Sequence, residues 1–116
     1  MTVKIYGIPT CSSCKKAQTW LRERDLSFES MNLKEVGLKV SEIENWVSVL
    51  GSKALKNTSG QSYRTMGPER DEMTDTDWIA AFASDPMLIK RPVLVDGEKP
   101  VAAGFKVKVY EDYFKK

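Results

Sequence analysis

Cys11-Ser12-Ser13-Cys14 holds the only two thiols of a 116-residue chain. Two cysteines three positions apart at a helix start can close into a disulfide, and the backbone N–H groups there favour a thiolate. This is the sequence form of a thioredoxin-like redox site. Cys11, at the helix start, is the expected nucleophile. Cys14, about one turn in and more buried, is the expected resolving thiol. Lys15 and Lys16 add positive charge beside the pair. The plainer alternative, two small buried apolar residues, accounts less well for a pair that follows a strand.

Arg91-Pro92 is the second constellation. A proline at a strand start costs no ladder donor. Arg91 beside it offers a planar cationic fork to an oxyanion or a carboxylate. The loop Asn57-Thr58-Ser59-Gly60-Gln61-Ser62-Tyr63-Arg64 is polar, carries one cation, and reads either as a wall over the thiols or as a plain connector. The expected substrate-binding set is Thr10, Ser12, Ser13, Lys15, Arg64 and Pro92. Trp20, Trp46 and Trp78 lie on apolar helix faces and read as core.

Composition removes several classes of function. Histidine is absent, so no Ser–His or Cys–His nucleophile pair and no imidazole ligand can exist. Two cysteines fall short of the four Cys or His ligands of a structural zinc site, and neither a metal nor a bound cofactor is expected. The net charge of +2 gives no footprint for nucleic acid. No apolar stretch reaches membrane-spanning length, and no basic-then-apolar leader precedes Cys11. The cytoplasm is the expected compartment, and two cysteines in a reducing compartment point to redox chemistry rather than to a structural staple.

The elements that must position these residues are legible from periodicity. Residues 3–6 form a strand, 7–10 a turn, and 11–24 a helix with Ala17, Trp20 and Leu21 on one face. Residues 26–31 alternate apolar and polar, as a half-buried strand does. A helix is predicted over 41–50, with Ser41 and Glu44 at capping-box spacing and Ile43, Trp46, Val47 and Leu50 inward. Residues 54–67 read as loop, with room for one short helical turn. Thr74 and Asp77 open a helix over 74–83, stopped by Asp85-Pro86. Strands over 92–95 and 99–102 flank an Asp96-Gly97 turn, and a last helix starts near residue 106. The order β-α-β, helices, β-β-α predicts one domain over residues 1–116. Its fold is α/β and thioredoxin-like: a mixed four-stranded sheet flanked by helices, with a helical subdomain inserted at about 37–87.

The segment Tyr6-Gly7-Ile8-Pro9-Thr10-Cys11-Ser12-Ser13-Cys14-Lys15-Lys16-Ala17, followed by Trp20-Leu21, resembles the arsenate reductase-like family of ArsC, Spx and YffB proteins. So do Asn57-Thr58-Ser59-Gly60, the 74–82 helix, Leu88-Ile89-Lys90-Arg91-Pro92 and Gly104-Phe105. The resemblance runs over nearly the whole chain. It implies a thioredoxin fold with Cys11 as nucleophile, Arg91 as the arginine that faces an oxyanion, and a cis bond before Pro92. Arsenate reductases of this family carry two further arginines. Here those regions read Ala54-Leu55-Lys56-Asn57 and Ala103-Gly104-Phe105, so the three-arginine cage is not evident and the sequence is closer to the YffB and Spx branches.

The expected function is a monomeric thiol-disulfide oxidoreductase with glutathione as reductant, acting on a small thiol or oxyanion substrate. The alternative is a Spx-like regulator that docks on RNA polymerase, contacts no nucleic acid directly, and uses Cys11 and Cys14 as a redox switch.

Overall fold

The structure, a computed structural model, describes residues 3–115. Strand β1 (Val3–Gly7) is buried at Val3, Ile5, Tyr6 and Gly7 and lies inside the sheet. Helix α1 (Ser12–Glu23) returns the chain to β2 (Glu29–Asn32), which pairs parallel with β1 from Lys4↔Glu29 to Gly7↔Asn32. A parallel pair needs such a crossover, because a tight turn can join only antiparallel neighbours. Strands β3 (Val93–Asp96) and β4 (Lys99–Ala103) form a hairpin whose turn carries Gly97 at φ 65°. The sheet order is β2-β1-β3-β4, with β1 and β3 antiparallel. Helix α6 (Val107–Phe114) closes the chain.

Side chains of Val3, Ile5, Leu94 and Ala102 from the sheet meet Ala17, Trp20 and Leu21 of α1 and Tyr110 of α6 in one core. Each helix buries the stripe that its spacing predicts. Trp20 and Tyr110 meet edge to face, 5.6 Å between centroids, and Phe105 meets Tyr110 the same way at 4.8 Å. The result is a mixed four-stranded sheet flanked by helices, an α/β fold of thioredoxin type.

The chain divides into two compact units, one running through Asn32 and resuming at Arg91, the other spanning Leu33–Lys90. The second unit is helical. It contains α2 (Val40–Leu50), α3 (Ser52–Leu55), α4 (Gln61–Arg64), a 3-10 segment (Pro68–Glu72), α5 (Asp75–Ser84) and a 3-10 turn (Pro86–Leu88). Helix α2 packs on α5, burying Ile43, Trp46, Val47, Trp78 and Phe82.

Three local expectations change. The strand expected over 26–31 starts only at Glu29. Asp25 takes φ 56°, and the Leu26 N–H bonds back to Leu21 O at 3.0 Å, so the chain is still closing the helix end there. Leu26 and Phe28 instead pack half-buried against the core. Helix α2 begins at Val40 rather than Ser41, because the Glu42 carboxylate, not that of Glu44, accepts the Lys39 N–H at 3.1 Å. The segment 54–67 is mainly loop and turn, as expected, but holds more than the one helical turn α4, because the end of α3 runs into it through Leu55. Gly51, at φ 86°, ends α2 and starts α3 in one step, and Gly60 opens α4. The Asn57 N–H donates to Leu88 O at 2.8 Å and the Lys90 N–H to Leu55 O at 2.6 Å. Such long-range bonds leave no trace in local composition. The Thr74 cap forms as predicted, with Thr74 and Asp77 exchanging side-chain and backbone bonds at 3.0 and 3.3 Å.

Candidate redox site

Strand β1 delivers the chain to the front of α1. The Cys11 N–H bonds to Ile8 O at 3.2 Å, which turns the backbone so that Cys11 stands at the N-cap in an extended conformation (φ −81°, ψ 118°). Its Sγ accepts the Cys14 N–H at 3.2 Å, and its carbonyl accepts the Lys15 N–H, also at 3.2 Å. A sulfur thus fills the place usually taken by a Ser, Asp or Asn oxygen, and satisfies one of the free donors of the helix end. The first turn of α1 contains no acidic residue to oppose negative charge there.

The two thiols are free and differently placed. Cys11 is half-exposed, whereas Cys14 is 2% exposed. Cys14 sits against Gly7, where an added Cβ would run into its Sγ. Burial pushes the Cys14 thiol up to about 12, helped by its hydrogen bond to Cys11 and by the charge on that sulfur. The Ile8 backbone and the Arg91 charge pull the other way without offsetting the rise. Cys14 therefore holds its proton at neutral pH and is close enough to share it with Cys11.

The register Tyr6↔Val93 brings Arg91 and Pro92 to the end of β1 from which the thiol segment departs. The Arg91–Pro92 bond is cis. Pro92 is fully buried, and its carbonyl accepts the Gly104 N–H at 2.8 Å. Arg91 is half-buried, and its charge is felt at Cys14. Thr10, Ser12 and Lys15 are exposed around the pair, and Ser13 is half-buried. The same unit thus supplies eight of the nine expected residues. Arg64 belongs to the helical unit, where it ends α4 and is exposed.

Beside Cys14 lies a cleft of about 320 Å³, with Pro9, Lys15, Gln18, Ser30 and Asn32 among its lining residues. The Gln18 amide donates to the Ser30 hydroxyl at 3.2 Å and closes one wall. Neither residue stands out in the sequence. Gln18 follows Cys14 by four positions on α1, a spacing that could have flagged it, but the approach of Ser30 depends on β2 register. A larger hollow of about 540 Å³ near Trp20, Arg24 and Phe114 holds no thiol and is remote in kind from this chemistry.

A four-stranded thioredoxin-like sheet, two cysteines at the first helix, and a cis-proline opening the third strand define a protein of the thiol-redox class by architecture. Residues 6–113 match the ArsC family, and the chain belongs to that family. YusI of Bacillus subtilis, an uncharacterized protein, is 34% identical over 97% of this chain and 98% of its own length. The global transcriptional regulator Spx of Staphylococcus haemolyticus is 28% identical over 89% of this chain and 79% of its own. Among solved structures, a possible arsenate reductase from Streptococcus mutans superposes with a TM-score of 0.85 at 36% identity, covering 96% of each chain. A YffB protein superposes with a TM-score of 0.86 at 29% identity, covering 95% of this chain and 96% of its own. Among the described residues no helix is long and apolar enough to cross a membrane.

Proposed function

We propose that this protein is a thiol-disulfide oxidoreductase that works as a monomer in the cytoplasm with glutathione as electron donor. Cys11 attacks a substrate disulfide R–S–S–R′ as thiolate, forming Cys11–S–S–R and releasing R′–S⁻. The Cys14 sulfur then attacks Cys11 Sγ. The Cys11–S–S–Cys14 bond forms, the bond to R breaks, and R–S⁻ leaves with the proton that Cys14 gives up. Two glutathione thiols return the pair to dithiol and leave as glutathione disulfide. Arg91 and the N–H groups at the start of α1 stabilise the negative charge that shifts among the sulfurs. Thr10, Ser12, Ser13, Lys15 and Pro92 surround the reacting atoms, and Arg64 is the further substrate contact of this reading.

The observation that carries this reading is the asymmetry of the pair. One sulfur is half-exposed and capped by a backbone donor, while the other is buried, protonated and hydrogen-bonded to the first. A nucleophile and a resolving thiol need that division of labour.

A second reading is favoured by the Spx relatives, which are global transcriptional regulators. In it the same pair is a reversible switch and the partner is RNA polymerase. Turnover of a small aromatic disulfide with glutathione, lost in Cys11→Ser, supports the oxidoreductase. Absence of turnover together with co-purification of polymerase supports the regulator and sinks the first reading.

A further inference from the structure

Cys14, Gln18 and Arg22 stand at four-residue spacing along one face of α1. The last two join Ser30 of β2 in a directed chain of hydrogen bonds. Arg22 Nη2 donates to Gln18 Oε1 at 3.3 Å, and Gln18 Nε2 donates to Ser30 Oγ at 3.2 Å. A guanidinium carries donors only, so Arg22 fixes which end of the Gln18 amide faces Ser30. Arg22 is itself held over the Phe28 ring, 5.3 Å from its centroid. The chain thus uses a lone pair of the Ser30 hydroxyl and leaves its O–H to donate. No acceptor for that O–H lies among the described residues.

We propose that the cleft beside Cys14 binds a carboxylate of the substrate disulfide, with the Ser30 hydroxyl and the Lys15 ammonium as donors and Gln18 as the positioning residue that aims Ser30. Cys14, Lys15, Gln18 and Ser30 all line this cleft, which lies within the first compact unit. Cys11 Sγ accepts the Cys14 N–H at 3.2 Å, so the cleft adjoins the sulfur that takes up the substrate. Its volume of about 320 Å³ suits a small thiol compound rather than a protein surface. Among the described lining residues Lys15 is the one charged side chain, and no carboxylate opposes an anion there. Arg91 precedes β3, on the far side of β1 from Ser30, and does not line the cleft. An ammonium and an oriented hydroxyl give a carboxylate two donors, and hydrogen bonds to a charged acceptor are the stronger kind. The preferred substrates are therefore small disulfides that carry a carboxylate near the sulfur. The sulfur chemistry stays that of Cys11 and Cys14.

The inference rests on the oxidoreductase reading, in which Cys11 attacks a disulfide. The whole protein, reduced, is mixed with an aromatic disulfide bearing a carboxylate on each ring, and separately with an uncharged pyridyl disulfide. The rate constant for release of the first coloured thiol is measured with each probe. Ser30→Ala is expected to lower the ratio of the carboxylated to the pyridyl rate roughly tenfold. Ser30→Thr, which keeps the hydroxyl, should restore the ratio. Gln18→Met should lower it as Ser30→Ala does, and the double variant should fall no further, because Gln18 acts through Ser30. An unchanged ratio in Ser30→Ala overturns the proposal alone, even where both rates fall together. A wild-type protein that reacts with neither probe overturns it together with the oxidoreductase reading.

Discussion

Cys11 Sγ accepts the backbone N–H of Cys14 at 3.2 Å, so the first sulfur of the pair caps the helix that buries the second. One short contact ties helix initiation to redox chemistry. Oxidation to a disulfide, or attachment of a substrate to Cys11, changes the group that caps α1.

Cys14 should resist alkylation in the native protein. With its thiol pushed from 9.0 to about 12, the thiolate population below pH 9 is roughly a thousandfold smaller than in the unfolded chain, and burial limits access further. Mass spectrometry after a short iodoacetamide pulse should find the label on Cys11 under native conditions and on both cysteines in urea. Equal labelling of the two in the native state would contradict the burial of Cys14.

The reduced protein should lose stability in alkali. The native state holds the Cys14 proton, while the unfolded chain releases it near pH 9.0, so this contribution is intact below pH 9 and is lost as pH rises toward 12. Tyr113 adds to the loss above pH 10, because its hydrogen bond to Asp96 (2.5 Å) pushes it up to about 12. Urea denaturation across pH 8 to 11 should show a falling midpoint, less steep in Cys14→Ala.

Gly7→Ala should cost about 1–3 kcal/mol, since the new methyl must displace the Cys14 sulfur from a well-packed site. Resolution of a mixed disulfide on Cys11 should slow in the same variant. A wild-type denaturation midpoint would show that the contact yields freely.

Arg91→Ala removes a positive charge that lowers Cys14. The pH profile of Cys14 alkylation should move upward, and turnover of anionic disulfides should fall about tenfold, the usual scale for one charge-assisted contact. Neutral disulfides should suffer less. Equal losses for both substrate types would remove the anion-binding role.

Thr74→Ala should cost about 1 kcal/mol by removing the acceptor for the Asp77 N–H at the start of α5. Thermal melts should record the loss while thiol reactivity stays as in the wild type.

Spacing and periodicity alone located the thiol pair, its helix, the strand after Arg91-Pro92 and the thioredoxin-like order of elements, while the cis bond before Pro92 was implied by the family resemblance. Each depends on neighbours within a few residues: a cysteine pair one turn apart, an apolar stripe on α1, an Asp96-Gly97 turn, the Thr74–Asp77 cap. Tertiary structure decided the rest. The start of β2 at Glu29 follows from pairing with Lys4, and the short helices α3 and α4 accompany the backbone bonds that Asn57 and Lys90 make to Leu88 and Leu55. The Gln18–Ser30 wall arises where segments distant in sequence meet. Local sequence sets which face of an element is apolar. Only the packed chain sets which atom lies opposite it, because desolvation and charge act through space and not along the backbone.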